Sequence, residues 1–212
     1  MKRIVVFASG RGTGFDSIQR AVASGTLKTQ ITSVVCDQPG AGVLSKAKAA
    51  NIATHLVQTD VALEPVGVRR RAHEDAIIRS IELEKPDWIV LAGYMRIFTP
   101  HFIKAFASGK GYSRIVNVHP SLLPSFSGVD GYAQAFQYGC KITGVSVHLV
   151  DDSLDGGPLL AQEAFSIDGC KSVDEVERRG LEIEHRLYPE TLEWVLAEEF
   201  ELSERRVCVR KN

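Results

Sequence analysis

Asn117 and His119 interrupt the apolar run "IVNVHPSLLPSF", residues 115–126, two positions apart. Ile115, Val116 and Val118 are β-branched and read as the end of a buried strand. In a strand, side chains at i and i+2 leave the same face, so the amide and the imidazole point side by side. Pro120 then disfavours helical geometry at His119 and holds the pair extended. Asp155 lies further on, in "SLDGGP". Singly, each has a bland reading: His119 as a satisfied core histidine, Asn117 as a strand-end cap, Asp155 as a turn residue before Gly-Gly. Jointly, an amide donor, an imidazole and a carboxylate can polarise a carbonyl and move a proton.

A second constellation opens the chain. "ASGRGTGFDSI", residues 8–18, follows an apolar strand, and Gly10, Gly12 and Gly14 let the backbone turn sharply and present its N–H groups. With a helix starting near Phe15, a phosphate is the natural guest. The spacing is G-x-G-x-G rather than G-x-G-x-x-G, yet Asp37 closes the second strand about where a ribose-binding acid stands in a dinucleotide site. From the loop alone, a mononucleotide phosphate, a dinucleotide and an empty turn remain open.

The elements that must position these groups alternate. "RIVVFA", "ITSVVC", "ATHLV" and "DWIVLAG" are short apolar runs separated by helical patterns near 15–25, 41–51 and 67–85, which predicts a parallel sheet. "RIVNVH" continues it, whereas "ITGVSVHLV" and "LLAQEAFSI" follow one another across a Gly-Gly-Pro loop with no helix, which makes the second half mixed. A long helix is expected from Ser172 to Glu198, with Ser172 as N-cap, Glu175 three residues on, and a kink at Pro189. The expectation is a single-domain, Rossmann-like α/β open sheet over 1–212, with helices on both faces. Residues 1–110 are expected to form a mononucleotide-binding half and 111–212 a catalytic half. In such a sheet the loops at the carboxyl ends of the parallel strands converge on one crevice, which can bring Asn117, His119 and Asp155 together.

Composition excludes several classes of partner. The formal charge is -1, from 25 basic and 26 acidic residues, so there is no electrostatic footprint for nucleic acid or an anionic membrane. The four cysteines are scattered without a C-x-x-C pair, which suits reduced thiols and no metal site. The apolar run after Lys2 and Arg3 is too short for a signal peptide, and no stretch spans a bilayer, which places the chain in the cytoplasm.

The ordered set "SGRGTGF", "LAGYMRI", "NVHPSLLPSF", "GVSVHLVDDSLDGGPLLAQ" and "HRLYP" resembles the glycinamide ribonucleotide transformylases, the folate-dependent phosphoribosylglycinamide formyltransferases, over nearly the whole chain. The N-x-H-P-S-L-L-P run with a later D-G-G is shared by the wider formyl-tetrahydrofolate transferase superfamily. The chain's 212 residues leave room for neither the extra tRNA domain nor the regulatory domain of its other branches. The resemblance implies direct transfer of the formyl group of 10-formyltetrahydrofolate, a cosubstrate, to the amine of 5-phosphoribosylglycinamide, with no metal and with small molecules as partners of a monomer or homodimer. It implies Asn117, His119 and Asp155 as catalytic residues. Gly12, Thr13, Gly14, Phe15, Asp16 and Glu184 would hold the phosphorylated substrate; Met95, Arg96, Ile97, Phe98 and Asn117 would line the folate pocket, with Arg70 on the folate tail. Ser146 and His148, which share a strand face with Gly144, would be supports behind the site. The Gly156-Gly157 loop is read as adaptable, delivering Asp155 over His119 when folate closes it. Two departures from the family's pattern are Gly14, where Asn is common, and "GVDGYAQAF", where histidines are common.

Overall fold

The computed structural model describes residues 1–210, and the chain divides into two compact units, 1–116 and the chain from Asn117 onward. In the first unit the elements run β1 (Lys2–Phe7), α1 (Thr13–Ala23), β2 (Thr29–Cys36), α2 (Gly42–Ala49), β3 (Ala53–Leu56), α3 (Val66–Ile81), β4 (Trp88–Leu91) and α4 (Pro100–Ala105). β5 (Ile115–His119) begins there and ends in the second unit, where α5 (Gly131–Tyr138), β6 (Ile142–Leu149), β7 (Leu159–Ser166), α6 (Val173–Leu196), β8 (Phe200–Ser203) and β9 (Arg206–Val209) follow.

The strand order of the first unit is β3-β2-β1-β4-β5, with parallel pairing of β1 to β2, β1 to β4 and β2 to β3. Ile4 to Phe7 and Trp88 to Leu91 are buried on both sheet faces, which is why these strands read as unbroken apolar runs and not as alternation. In the second unit the order is β5-β6-β7-β9-β8. β6 and β7 pair antiparallel, as their short connection requires, and β7 alternates half-buried with exposed residues along its last stretch. Its core gathers Tyr132, Ala135, Val145, Ile167 and Val176.

Local signals account for most boundaries. The Ser172 hydroxyl accepts the Glu175 N–H at 3.3 Å, and the Glu175 carboxylate reaches back to the Lys171 N–H at 2.8 Å, so α6 starts on a reciprocal cap. α6 stays one helix through Pro189. The helix expected over 67–85 stops at Ile81, and a 3-10 turn, Glu82–Glu84, follows. α4, α5 and the β8–β9 hairpin lie outside the sequence expectation. Each helix and each strand of the hairpin is eight residues or shorter, too brief for periodicity to register.

Candidate active site

β5 ends in Asn117 and His119, and both find partners within the second unit. Asn117 Nδ2 lies 3.1 Å from Nε2 of His148 on β6. Nδ1 of His148 is 2.9 Å from the Leu149 carbonyl oxygen. A carbonyl only accepts, so Nδ1 carries the proton and Nε2 receives the Asn117 N–H. Burial pushes the His148 imidazole below the usual histidine range, against the opposing influence of the Leu149 carbonyl and Asp155, and so keeps it neutral and accepting. One amide N–H of Asn117 is thus committed, the side-chain orientation is set, and the second N–H has no acceptor among the described residues.

His119 is buried, with Nε2 2.9 Å from the Phe126 carbonyl oxygen and Nδ1 3.5 Å from Asp155 Oδ2. Both neighbours are acceptors, so the ring meets both as donor only when it carries two protons. The Asp155 carboxylate is held in turn by the Gly128 N–H at 2.7 Å. Its backbone adopts φ 49, a left-handed conformation that costs a non-glycine residue about 1–3 kcal/mol and persists only where the surroundings enforce it. A β-carbon at Gly157 would stand 1.8 Å from the Leu149 carbonyl oxygen, so the glycine allows close passage against β6, and Asp155 already stands beside His119. Behind them, the Ser146 hydroxyl donates to the Ser121 carbonyl at 2.6 Å and accepts the Leu123 N–H at 3.0 Å, which ties the Pro-Ser-Leu-Leu-Pro turn to β6.

In the first unit, Gly12 caps α1 with φ 76, and Asp16 N–H bonds to its carbonyl at 3.0 Å. No side chain caps the helix, and the N–H groups of Thr13, Gly14 and Phe15 find no acceptor among the described residues. A helix N-terminus with three open donors has the chemistry of an anion site. The side chains do less: Phe15 is in the core and the Asp16 carboxylate is paired with Lys46.

A cleft of ≈ 260 Å³ in the same unit is lined by Arg70, Met95, Arg96, Ile97 and Phe98 together with Arg69, His73 and Glu74. The segment that forms its wall is pinned at three points. Met95 N–H donates to the Ser9 hydroxyl at 3.0 Å, Arg96 Nε to Asp37 at 2.6 Å, and Thr99 N–H to Glu74 at 2.6 Å. Asp37 is therefore not held out toward a ribose, which removes the residue that suggested a dinucleotide. Burial pushes its carboxyl up, but the neighbouring Ser9, Gln38 and Arg96 outweigh that and hold it below the usual range. Of the three successive arginines, Arg69 is taken by Glu64 at 3.1 Å and Arg71 by Asp75 at 3.5 Å. Arg70 makes no ion pair among the described residues. Met95 and Ile97 are more than half exposed at the cleft, while Phe98 is stacked on Phe102 at 4.0 Å in the core.

A family model described as "Formyl transferase" matches residues 2–192. The chain belongs to the formyl transferase family. Within it, the chain is 36% identical to the phosphoribosylglycinamide formyltransferase of Bacillus subtilis (strain 168), over 92% of this chain and 95% of the relative. It is 35% identical to the enzyme of that name from Escherichia coli (strain K12), over 90% of this chain and 85% of the relative. The crystal structure of glycinamide ribonucleotide transformylase 1 from Symbiobacterium toebii superposes with a TM-score of 0.89 at 33% identity, covering 100% of this chain and 95% of that one. This chain is accordingly an α/β transferase with a mostly parallel sheet. No helix among the described residues is long and apolar enough to cross a membrane.

Formyl transfer needs a polarised carbonyl and a proton path, and the second unit sets the Asn117–His148 hydrogen bond beside Asp155, whose carboxylate lies 3.5 Å from His119 and 3.8 Å from His148. Glu184 stands apart from these on α6, where it accepts a hydrogen bond from Tyr132 at 2.7 Å. Sequence reasoning missed Glu74, a charged residue on the buried face of α3 whose partner Thr99 lies 25 residues away, and Tyr132, whose partner lies 52 residues away.

Proposed function

We propose that this chain transfers the formyl group of 10-formyltetrahydrofolate to the amine of 5-phosphoribosylglycinamide, in the cytoplasm, as a step of de novo purine synthesis. The observation that carries this reading is the grouping of Asn117, His119 and Asp155 at the end of β5 in a formyl transferase. The amine attacks the formyl carbon, and the free N–H of Asn117 donates to the oxygen as it becomes an oxyanion. His119, as an imidazolium beside the Phe126 carbonyl and Asp155, stabilises that charge, and the N–H that exchanges one of these acceptors for the substrate gives its proton to the departing folate nitrogen. Asp155, through water, takes up the proton lost by the amine, so that one proton leaves the acceptor and one reaches the folate. The open N–H groups of Thr13, Gly14 and Phe15 suit the acceptor's phosphate, and Glu184 suits its donors. Arg70, the cleft arginine without an ion pair, suits the folate tail, and exposed Met95 and Ile97 suit its apolar faces.

The test is a folate absorbance assay with 10-formyltetrahydrofolate and glycinamide ribonucleotide, run beside NAD(H) binding. Folate turnover that requires the ribonucleotide, with no NAD(H) binding, is expected. Formate release independent of the ribonucleotide would make the protein a hydrolase and overturn the assignment.

A further inference from the structure

Tyr132, buried, and Glu184, partly buried, form a hydrogen-bonded pair outside the Asn117–His119–Asp155 group. Glu184 lies one turn after Gly180 on α6, and Tyr132 of α5 spans the two. A β-carbon at Gly180 would stand 2.1 Å from Tyr132 Cζ and 2.2 Å from its hydroxyl, so the ring occupies the volume that any other residue type would fill at that position. Tyr132 is 6% exposed and stands edge-on to Phe165 at 6.0 Å. Its hydroxyl therefore comes from a side chain with little freedom, and it donates to Glu184 Oε1 at 2.7 Å. Glu184 itself is only partly buried, and its Oε2 takes no hydrogen bond among the described residues. A carboxylate with one oxygen pinned and the other open is a directed acceptor for hydroxyl or amine donors.

We propose that Tyr132, seated over Gly180, is a positioning residue that aims Glu184 at the hydroxyl or amine donors of the phosphorylated acceptor. This rests on the assignment of Glu184 to that acceptor made above. The electrostatics point the same way. Burial raises the Glu184 carboxyl to about 7 and the charge of Glu177 on the same helix adds to it, while the Tyr132 hydroxyl acts in the opposite sense by stabilising the carboxylate. Other ionisable groups on the packed elements are His185, next to Glu184 on α6, Tyr138 on α5, His148 on β6, the Cys140 and Cys170 thiols around the shared core and, on β7, Glu163, which is already engaged by Arg186; of the neighbouring side chains only Tyr132 and Glu177 act on the Glu184 carboxyl. Tyr132 is thus the one neutral donor that favours the accepting form of Glu184.

The experiment is steady-state kinetics on the full chain, with glycinamide ribonucleotide and 10-formyltetrahydrofolate varied in turn from about pH 6 to about pH 8.5. For Tyr132→Phe, which keeps the ring, the acceptor KM should rise about tenfold at neutral pH, the worth of a hydrogen bond to a charged group. kcat and the folate KM should stay within about twofold of wild type. The fall of acceptor KM with rising pH should move to higher pH, because the lost donor no longer favours the carboxylate. Gly180→Ala, which displaces the ring and keeps the hydroxyl, should change acceptor KM in the same direction. An unchanged acceptor KM and an unmoved pH limb in Tyr132→Phe, beside a raised acceptor KM in Glu184→Gln, would overturn the role of Tyr132 alone. A normal acceptor KM in a folded Gly180→Ala would do so even if Tyr132→Phe failed to fold. A normal acceptor KM in Glu184→Gln would remove Glu184 from the acceptor site and this inference with it.

Discussion

His119 faces an acceptor at each ring nitrogen, and that arrangement makes its substitution informative. His119→Asn keeps a polar side chain but removes the proton donor, so kcat should fall by about 10²–10⁴-fold while folate binding, followed by fluorescence titration, stays near wild type. A kcat close to wild type would take His119 out of the chemistry. Asn117→Ala deletes one oxyanion donor and should cost on the order of 3 kcal/mol in transition-state stabilisation. The Asn117–His148 hydrogen bond adds a sharper expectation. If His148 acts by orienting Asn117, His148→Ala should lower kcat in the wild-type background and add little to Asn117→Ala, a coupling that a double-mutant cycle reads directly. The pair at 117 and 119 was legible in the sequence because i and i+2 share a strand face. The contact to His148 was not, since it depends on the register of β6, which strand patterning leaves open.

At the scale of the elements, glycines decide how closely backbones approach. Gly12 sits at φ 76, and a β-carbon there would meet Val43 at 2.8 Å, so substitution at Gly12 strains α1 and α2 before it touches any ligand. Gly14 is the cleaner probe of the N–H cradle, with its β-carbon 3.2 Å from that of Ala92. In β6, a β-carbon at Gly144 would stand 2.3 Å from the Glu163 carbonyl oxygen and 2.4 Å from Leu122. Gly144→Ala should therefore destabilise by about 1–3 kcal/mol, as overpacking does. Because Ser146 and His148 lie on the same face of that strand, kcat should fall as well. Urea unfolding with parallel kinetics checks both, and a stable, fully active variant would show that β6 shifts without disturbing Asn117.

Across the whole molecule, His73, His148 and Glu184 shape the acid response alongside Asp37 and Glu84, whose carboxyls are held below the usual range by their partners. Burial holds the imidazoles of His73, in the first unit, and His148, in the second, below the usual histidine range. The unfolded chain binds protons at these positions from about pH 6.5 downward before the folded chain does, so the stability they contribute is present above that pH and is lost as pH falls. Glu184 has the opposite sign. Burial raises its carboxyl to about 7 in the folded chain, above the usual carboxylate range, so it costs stability increasingly as pH rises toward that value. Glu184→Gln should therefore unfold at higher denaturant than wild type at about pH 8, and its stability should fall more steeply on acidification to about pH 5.5. Equal midpoints at both pH values would show that Glu184 is not a buried carboxyl.

Local chemistry was enough to establish the alternating elements, the antiparallel turn back from β6 to β7, the cap at Ser172 and the polar pair on β5. Each is a property of residues close in the chain: side-chain periodicity, a short connection, a hydroxyl three residues from an N–H. Pairings across long stretches of chain could not be read that way. Asp37, whose position after β2 suggested a ribose, is turned to Arg96, 59 residues on, because a buried carboxylate must find its counter-charge wherever the fold supplies one. Tyr132 meets Glu184 only because α5 lies against α6 over Gly180. Asp155 reaches His119 through a left-handed backbone and a glycine pressed against β6, features that exist only once the strands are in register, since sequence spacing sets which groups can share an element and packing sets which groups meet.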